Sequence, residues 1–81
     1  MGTDYGQQIW LVYECIGHGK EEIVTHEKLS LKYSLKKAAQ RMRIPLSKIN
    51  QIQYMYNPLN LESSALDNNI PNGGIITIKL K

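Results

Sequence analysis

Cysteine is almost missing from this chain. Cys15 is the only one, so no disulfide can form within it, and the staple that small secreted domains commonly need is lacking. Long apolar runs are missing as well. The longest, Ile9 to Tyr13, falls far short of the roughly 20 residues that a membrane-spanning helix requires. Met1-Gly2-Thr3-Asp4 also lacks the basic-then-apolar order of a secretory signal. The expected setting is therefore intracellular, cytoplasmic or nuclear, with no membrane partner. Charge of one sign is scarce too: 10 Lys+Arg stand against 7 Asp+Glu, a net charge of +3, and aromatic residues make up only 7%. A dedicated nucleic-acid binder gathers its cations on one face and adds base-stacking aromatics to them. The tightest cluster here, Lys28, Lys32, Lys36, Lys37, Arg41 and Arg43, reads first as the solvated side of a helix.

What remains is an ordinary globular composition, 42% hydrophobic and 21% charged, which suits a folded chain rather than a disordered one. At 81 residues there is room for one domain. A chain this short buries only about 60% of its unfolded surface, which leaves little space for a deep catalytic pocket.

Along the chain, residues 1–7 carry glycine and little apolar content and read as a flexible leader. Gln8 to Ile16 is rich in Ile, Trp, Leu, Val and Tyr, which predicts a strand covered at least partly on both faces. Gly17-His18-Gly19-Lys20 supplies the glycines of a tight reversal, and Glu21 to His26 then returns as the second arm of a hairpin. From Ser34 to Met42 the residues Leu35, Ala38, Ala39 and Met42 recur at steps of three and four. That spacing predicts a helix over 34–43, with Ser34 as its N-cap and Pro45 forbidding continuation. Gln51 to Tyr56 alternates polar and apolar residues before Asn57-Pro58, as a strand with one wetter face does. Leu59 to Asn69 is a long polar connection anchored by Leu59, Leu61, Ala65 and Leu66. In the closing strand Ile76, Ile78 and Leu80 point to the core, with Ile75, Thr77, Lys79 and Lys81 on the other side.

Strand, turn, strand, helix, Ile44-Pro45, strand, long loop, strand is the order of the β-grasp fold. Over residues 8–81 the chain resembles a divergent ubiquitin-like domain. The resemblance is most specific from Leu66 through Ile70 and Gly73-Gly74 to Ile76, Ile78 and Leu80, where a turn with a buried Ile leads by a polar reversal into the alternating last strand. It implies an α+β fold with a mixed sheet of four to five strands packed on one helix, and a role in protein–protein contacts. Departures narrow that role. A conjugated modifier of this family ends in an exposed Gly-Gly beyond the last strand, whereas this sequence ends at Lys81 and its Gly73-Gly74 precede that strand, as positive-φ residues of a reversal. The expectation is a module that is not conjugated. The family's usual docking patch is apolar; the matching positions here hold His18 or a neighbouring glycine, Gln53, Thr77 and Lys79. Removing aliphatic area forfeits ~25 cal/mol per Å², so ordinary ubiquitin receptors are not expected to bind.

Chemistry is sparse. His18, His26 and Cys15 lack the paired spacing of a zinc site, and Cys15 has no base or orienting acid nearby in sequence. Glu21-Glu22 diverge on a strand, and Gly17-x-Gly19-Lys20 lacks the glycine spacing and Ser/Thr of a phosphate loop. No enzyme, metal or cofactor is expected. Two other readings of the middle compete. Ala39, Met42, Ile44, Ile49 and Ile52 also fall at helix-turn-helix spacing, which implies nucleic-acid binding through Lys36, Lys37, Arg41 and Arg43. Leu35, Ala38-Ala39, Ile44 and Gly73 to Ile78 echo a LysM module, which implies glycan binding. The leading expectation is a non-catalytic adaptor that binds another protein or a larger complex across the open sheet. The residues expected to carry it are Trp10, Val12, Gln53, Ile75 and Thr77, with Lys79 and Lys20 supplying charge.

Overall fold

The structure is a computed structural model that describes residues 4–81. It consists of β1 (Gln8–Cys15), β2 (Gly19–His26), α1 (Leu31–Met42), a 3₁₀ turn (Leu46–Lys48), β3 (Ile49–Tyr54), β4 (Asn57–Pro58) and β5 (Ile75–Leu80). The strands form one sheet in the order β2-β1-β5-β3-β4. β1 and β5 lie side by side in parallel, with Val12 opposite Ile75 and Glu14 opposite Thr77, and the remaining pairs are antiparallel. This is the expected α+β β-grasp arrangement, with α1 packed on one face of the sheet.

Strict alternation along β1 decides which face that is. Ile9, Leu11, Tyr13 and Cys15 are buried, whereas Trp10, Val12 and Glu14 are not. Ile76 and Ile78 of β5 and Ile52 of β3 point the same way and meet Leu31, Leu35, Ala38, Ala39 and Met42 of α1. Leu80, placed in the core set by alternation, is 38% exposed at the last position of its strand. Of the leader expected over 1–7, residues 1–3 lie outside the described residues. Beyond them, the carbonyls of Tyr5 and Gln7 accept the N–H groups of Lys28 (2.8 Å) and Glu27 (2.9 Å), continuing the β1–β2 pairing past Gln8.

Several local expectations are corrected. The helix begins three residues earlier than the periodicity indicates, and its N-cap is Ser30, whose Oγ accepts from Lys32 N–H at 3.3 Å. Ser34 is a buried residue of the first turn instead, bonded back to the Leu31 carbonyl at 3.1 Å. β1 ends at Cys15, and Ile16 stands 90% exposed in the turn that follows. β3 runs from Ile49 to Tyr54 rather than from Gln51 to Tyr56, because Met55 and Tyr56 have φ of 50° and 68° and reverse the chain. That strand also removes the helix-turn-helix reading, since Ile49 and Ile52 lie on β3 and not on a second helix. The LysM reading fails because α1 is the one α-helix among the described residues and Ile75 to Ile78 form an interior strand. Of the two glycines before β5, Gly73 has a positive φ of 83°, but Gly74 does not: a Cβ there would come within 2.6 Å of the Ile70 side chain, so close packing selects glycine.

Candidate interaction surface

With α1 covering one face, the other face of the sheet has no second layer among the described residues, and cross-strand register determines what lies on it. One row runs Lys20, Glu14, Thr77, Gln53, Pro58 across all five strands. The next runs Glu22, Val12, Ile75, and beyond it Val24 stands opposite Trp10. Lys79, one alternate position along β5, pairs with Gln51. The sheet thus brings Trp10, Val12, Gln53, Ile75, Thr77, Lys79 and Lys20 onto one surface, in two zones.

The polar zone is internally tied. Thr77 Oγ1 donates to Glu14 Oε1 at 3.4 Å, and Lys20 Nζ lies 3.9 Å from Glu14 Oε2. Ion pairs this exposed contribute little to stability. The apolar zone is offset toward the start of β1. Trp10 is 43% exposed, Val24 54% and Ile75 46%, and the Trp10 backbone is tied to the 71–74 reversal. There Asn72 Oδ1 accepts from Trp10 N–H at 2.8 Å, the Trp10 carbonyl accepts from Gly73 N–H at 2.7 Å, and the Gly73 backbone lies against the ring.

Residues that the sequence did not single out extend this zone. Val24 joins it through the hairpin register, a signal that was available once β1 and β2 were paired. Met55 and Tyr56 join it at the β3–β4 reversal, 71% and 94% exposed. They border a cleft of about 480 Å³ whose other walls include Ile75, Thr77, Lys79, Glu14 and Gln53. No turn signal marks Met-Tyr as a reversal, and their polar–apolar alternation places them in the strand.

The cations of the alternative site are on the helix side of the molecule. Lys36 and Lys37 are exposed on α1, Arg41 Nη1 donates to the Glu22 carbonyl at 3.0 Å, and Arg43 ends the helix in the left-handed conformation. Cys15 is buried, which pushes its thiol pKa up. His26 lies at the opposite end of the hairpin from Cys15 and His18, so these side chains do not converge. No described helix is long and apolar enough to cross a membrane.

No family model matches this chain, and no curated protein matches it in sequence. Solved structures do match it in three dimensions. One, described as molecular mimicry of SUMO that promotes DNA repair, superposes with a TM-score of 0.77 at 11% identity, covering 90% of this chain and 91% of that one. Another, a de novo design based on ubiquitin, gives a TM-score of 0.80 at 11% identity, covering 91% of this chain and 89% of that one. The chain has the ubiquitin-like β-grasp fold.

Proposed function

We propose that this chain is a non-catalytic protein-interaction module, an intracellular adaptor whose partner lies across the open face of the sheet. The observation that carries this reading is the apolar strip from Val24 through Trp10 and Val12 to Ile75, left without a covering layer beside a polar zone of Gln53, Thr77 and Glu14. A rigid aromatic anchor flanked by aliphatic residues and rimmed by charge is the composition of an interface centre. Trp10, Val12 and Ile75 supply apolar contact, Gln53 and Thr77 supply hydrogen bonds, and Lys79 and Lys20 favour a partner with acidic groups at those margins. A fold neighbour described as a mimic of SUMO supports a protein as the partner. The single buried thiol supports a reducing compartment.

Trp10→Ala tests the reading. Capture from native lysate by the wild-type chain and by the variant should differ in one or a few proteins, whose affinity falls by at least about tenfold, as loss of a central aromatic anchor does. The melting curve should hardly move. Identical capture would remove Trp10 from the interface, and a variant that unfolds would assign it to the support of the fold. Salt separates this reading from a nucleic acid held by Lys36, Lys37, Arg41 and Arg43. A phosphate-led complex with six or more contacts weakens roughly a thousandfold or more between about 50 and 200 mM salt, whereas apolar contact across the sheet is nearly insensitive to it.

A further inference from the structure

β3 is paired with β5 on one side, but the first half of its other side is bare. β4 is two residues long and meets β3 only at Tyr54 and Gln53. One more bond, from Leu59 N–H to the Ile52 carbonyl at 2.9 Å, closes that ladder. The chain then crosses to the start of α1, where the Leu61 carbonyl accepts from Lys32 N–H at 3.1 Å and from Ser30 Oγ at 2.6 Å. Ile49, Asn50 and Gln51 are left with no strand beside them on that edge, and the register shift between Ile49 and Gln51 leaves Asn50 out of the β5 pairing as well. The opposite edge of the sheet is treated differently, since the Arg41 guanidinium caps the Glu22 carbonyl of β2.

Against the bare edge of β3 lies an apolar groove of about 250 Å³. Leu35 and Ile52 form its buried floor, and Leu46 and Leu61 stand in its walls, 49% and 38% exposed. Lys32 and Lys36, one turn apart on α1, border it on the helix side. Glu62 holds Lys32 at 3.3 Å, whereas Lys36 has no ion-pair partner among the described residues.

We propose that this edge and groove form a second binding site, separate from the open face, for an extended segment of another protein. The segment adds as a strand to β3, sends alternate apolar side chains between β3 and α1, and places an acidic group against Lys36. Register supports the fit. Side chains of an added strand alternate between the two faces of the sheet, so those on the helix side enter the groove while the others lie beside Gln51. Main-chain bonds to an open edge supply affinity, and the pocket for alternate side chains supplies specificity. The charge argument fixes the flank: a groove with leucine walls and one unpaired ammonium is complementary to an apolar segment ending in carboxylates. A phosphate backbone gains little from a single free cation.

The test is a titration of the full ¹⁵N-labelled chain, followed by backbone amide shifts, with a synthetic extended peptide of alternating valine and threonine that ends in two aspartates. Saturable shifts at Asn50, Gln51, Ile52, Leu46 and Lys36 are expected. Lys36→Glu, a change at an exposed helix position, should lower the affinity by about threefold through lost attraction and added repulsion, as should exchanging the aspartates for lysines. A proline in the middle of the peptide should abolish binding, because it removes a main-chain donor. Trp10→Ala should leave this peptide unaffected, which separates this site from the open-face reading. The proposal is overturned by shifts confined to the open face or to β2, by no shift at about 1 mM peptide, or by Lys36→Glu having no effect. It is also overturned if the same amides shift with protein concentration alone, which assigns the groove to a second copy of the chain.

Discussion

The hydroxyl of Tyr13 is the polar group set deepest in the core, and it is fully hydrogen-bonded. The Tyr13 and Ser34 hydroxyls meet at 2.6 Å, a contact that either can donate, and the Leu31 carbonyl accepts from Ser34 Oγ at 3.1 Å and from Tyr13 Oη at 3.5 Å. Burial disfavours the phenolate and pushes the Tyr13 pKa up to about 12 from 10.0, with the Ser34 bond opposing the shift in part. The sign for stability follows. Above pH 10 the unfolded chain releases this proton while the folded chain keeps it, so stability is fully present below pH 10 and is lost as pH rises toward 12. A loss on the order of 3 kcal/mol is expected across that window. Tyr13→Phe should cost about 1 kcal/mol at neutral pH through the missing hydrogen bond and should flatten the alkaline fall. Denaturant titrations at pH 8 and pH 11 would check both, and an equally steep fall in the variant would place the alkaline sensitivity elsewhere. Tyr13 as a core residue was legible from alternation alone. Ser34 was not, because a serine at the edge of an apolar period reads as a cap, and only the hydroxyl across the core makes it an interior residue.

Element boundaries were least legible where the backbone takes positive φ without glycine. α1 ends in a left-handed Arg43, φ 59°, with Ile44 N–H bonded to the Ala39 carbonyl at 2.9 Å and Arg43 N–H to the Gln40 carbonyl at 3.2 Å. Ile44 then seals the helix end by burying its side chain. The stop itself was readable from Pro45. The β3–β4 reversal offered no such mark, since Met55 and Tyr56 both occupy positive φ, the pattern of a two-residue hairpin turn that Asn-Gly fills far more readily. Bulky side chains there cost conformational energy, and these two return little packing, being mostly exposed. The paired change Met55→Asn with Tyr56→Gly should therefore raise stability by about 1 kcal/mol. It should also weaken any partner that reaches from Ile75 into the neighbouring cleft. A denaturant midpoint that falls instead would mean that Met55 and Tyr56 support the fold, and that the turn is not strained on behalf of recognition.

At the scale of the whole molecule, period-two alternation in β1 and β5 divided each strand into two sets, and the strand order implied by the resemblance put Trp10, Val12 and Ile75 on one face, but only the structure shows that this face is the open one. The groove beside β3 was hidden because it depends on where β4 stops and the chain leaves for α1, and no residue pattern encodes that. The same topology dictates how the molecule opens. β1 and β5 lie inside the sheet and come from opposite ends of the chain, so their pairing must break last, whereas the segment from Leu59 to Asn69 is held by turns and by side-chain caps such as Asn68 Nδ2 to the Ser64 carbonyl at 2.7 Å. Native-state hydrogen exchange should rank the amides accordingly. Leu11, Tyr13, Ile76 and Ile78 should exchange only through global unfolding, those of β2 and the bare edge of β3 sooner, and the 59–69 segment by local opening. If β3 proved as protected as β5, something would have to cover its outer edge in solution, and the groove would not be free to receive a strand. If β1 and β5 exchanged before β2, the parallel pair would not be the centre that holds the two halves of the chain together.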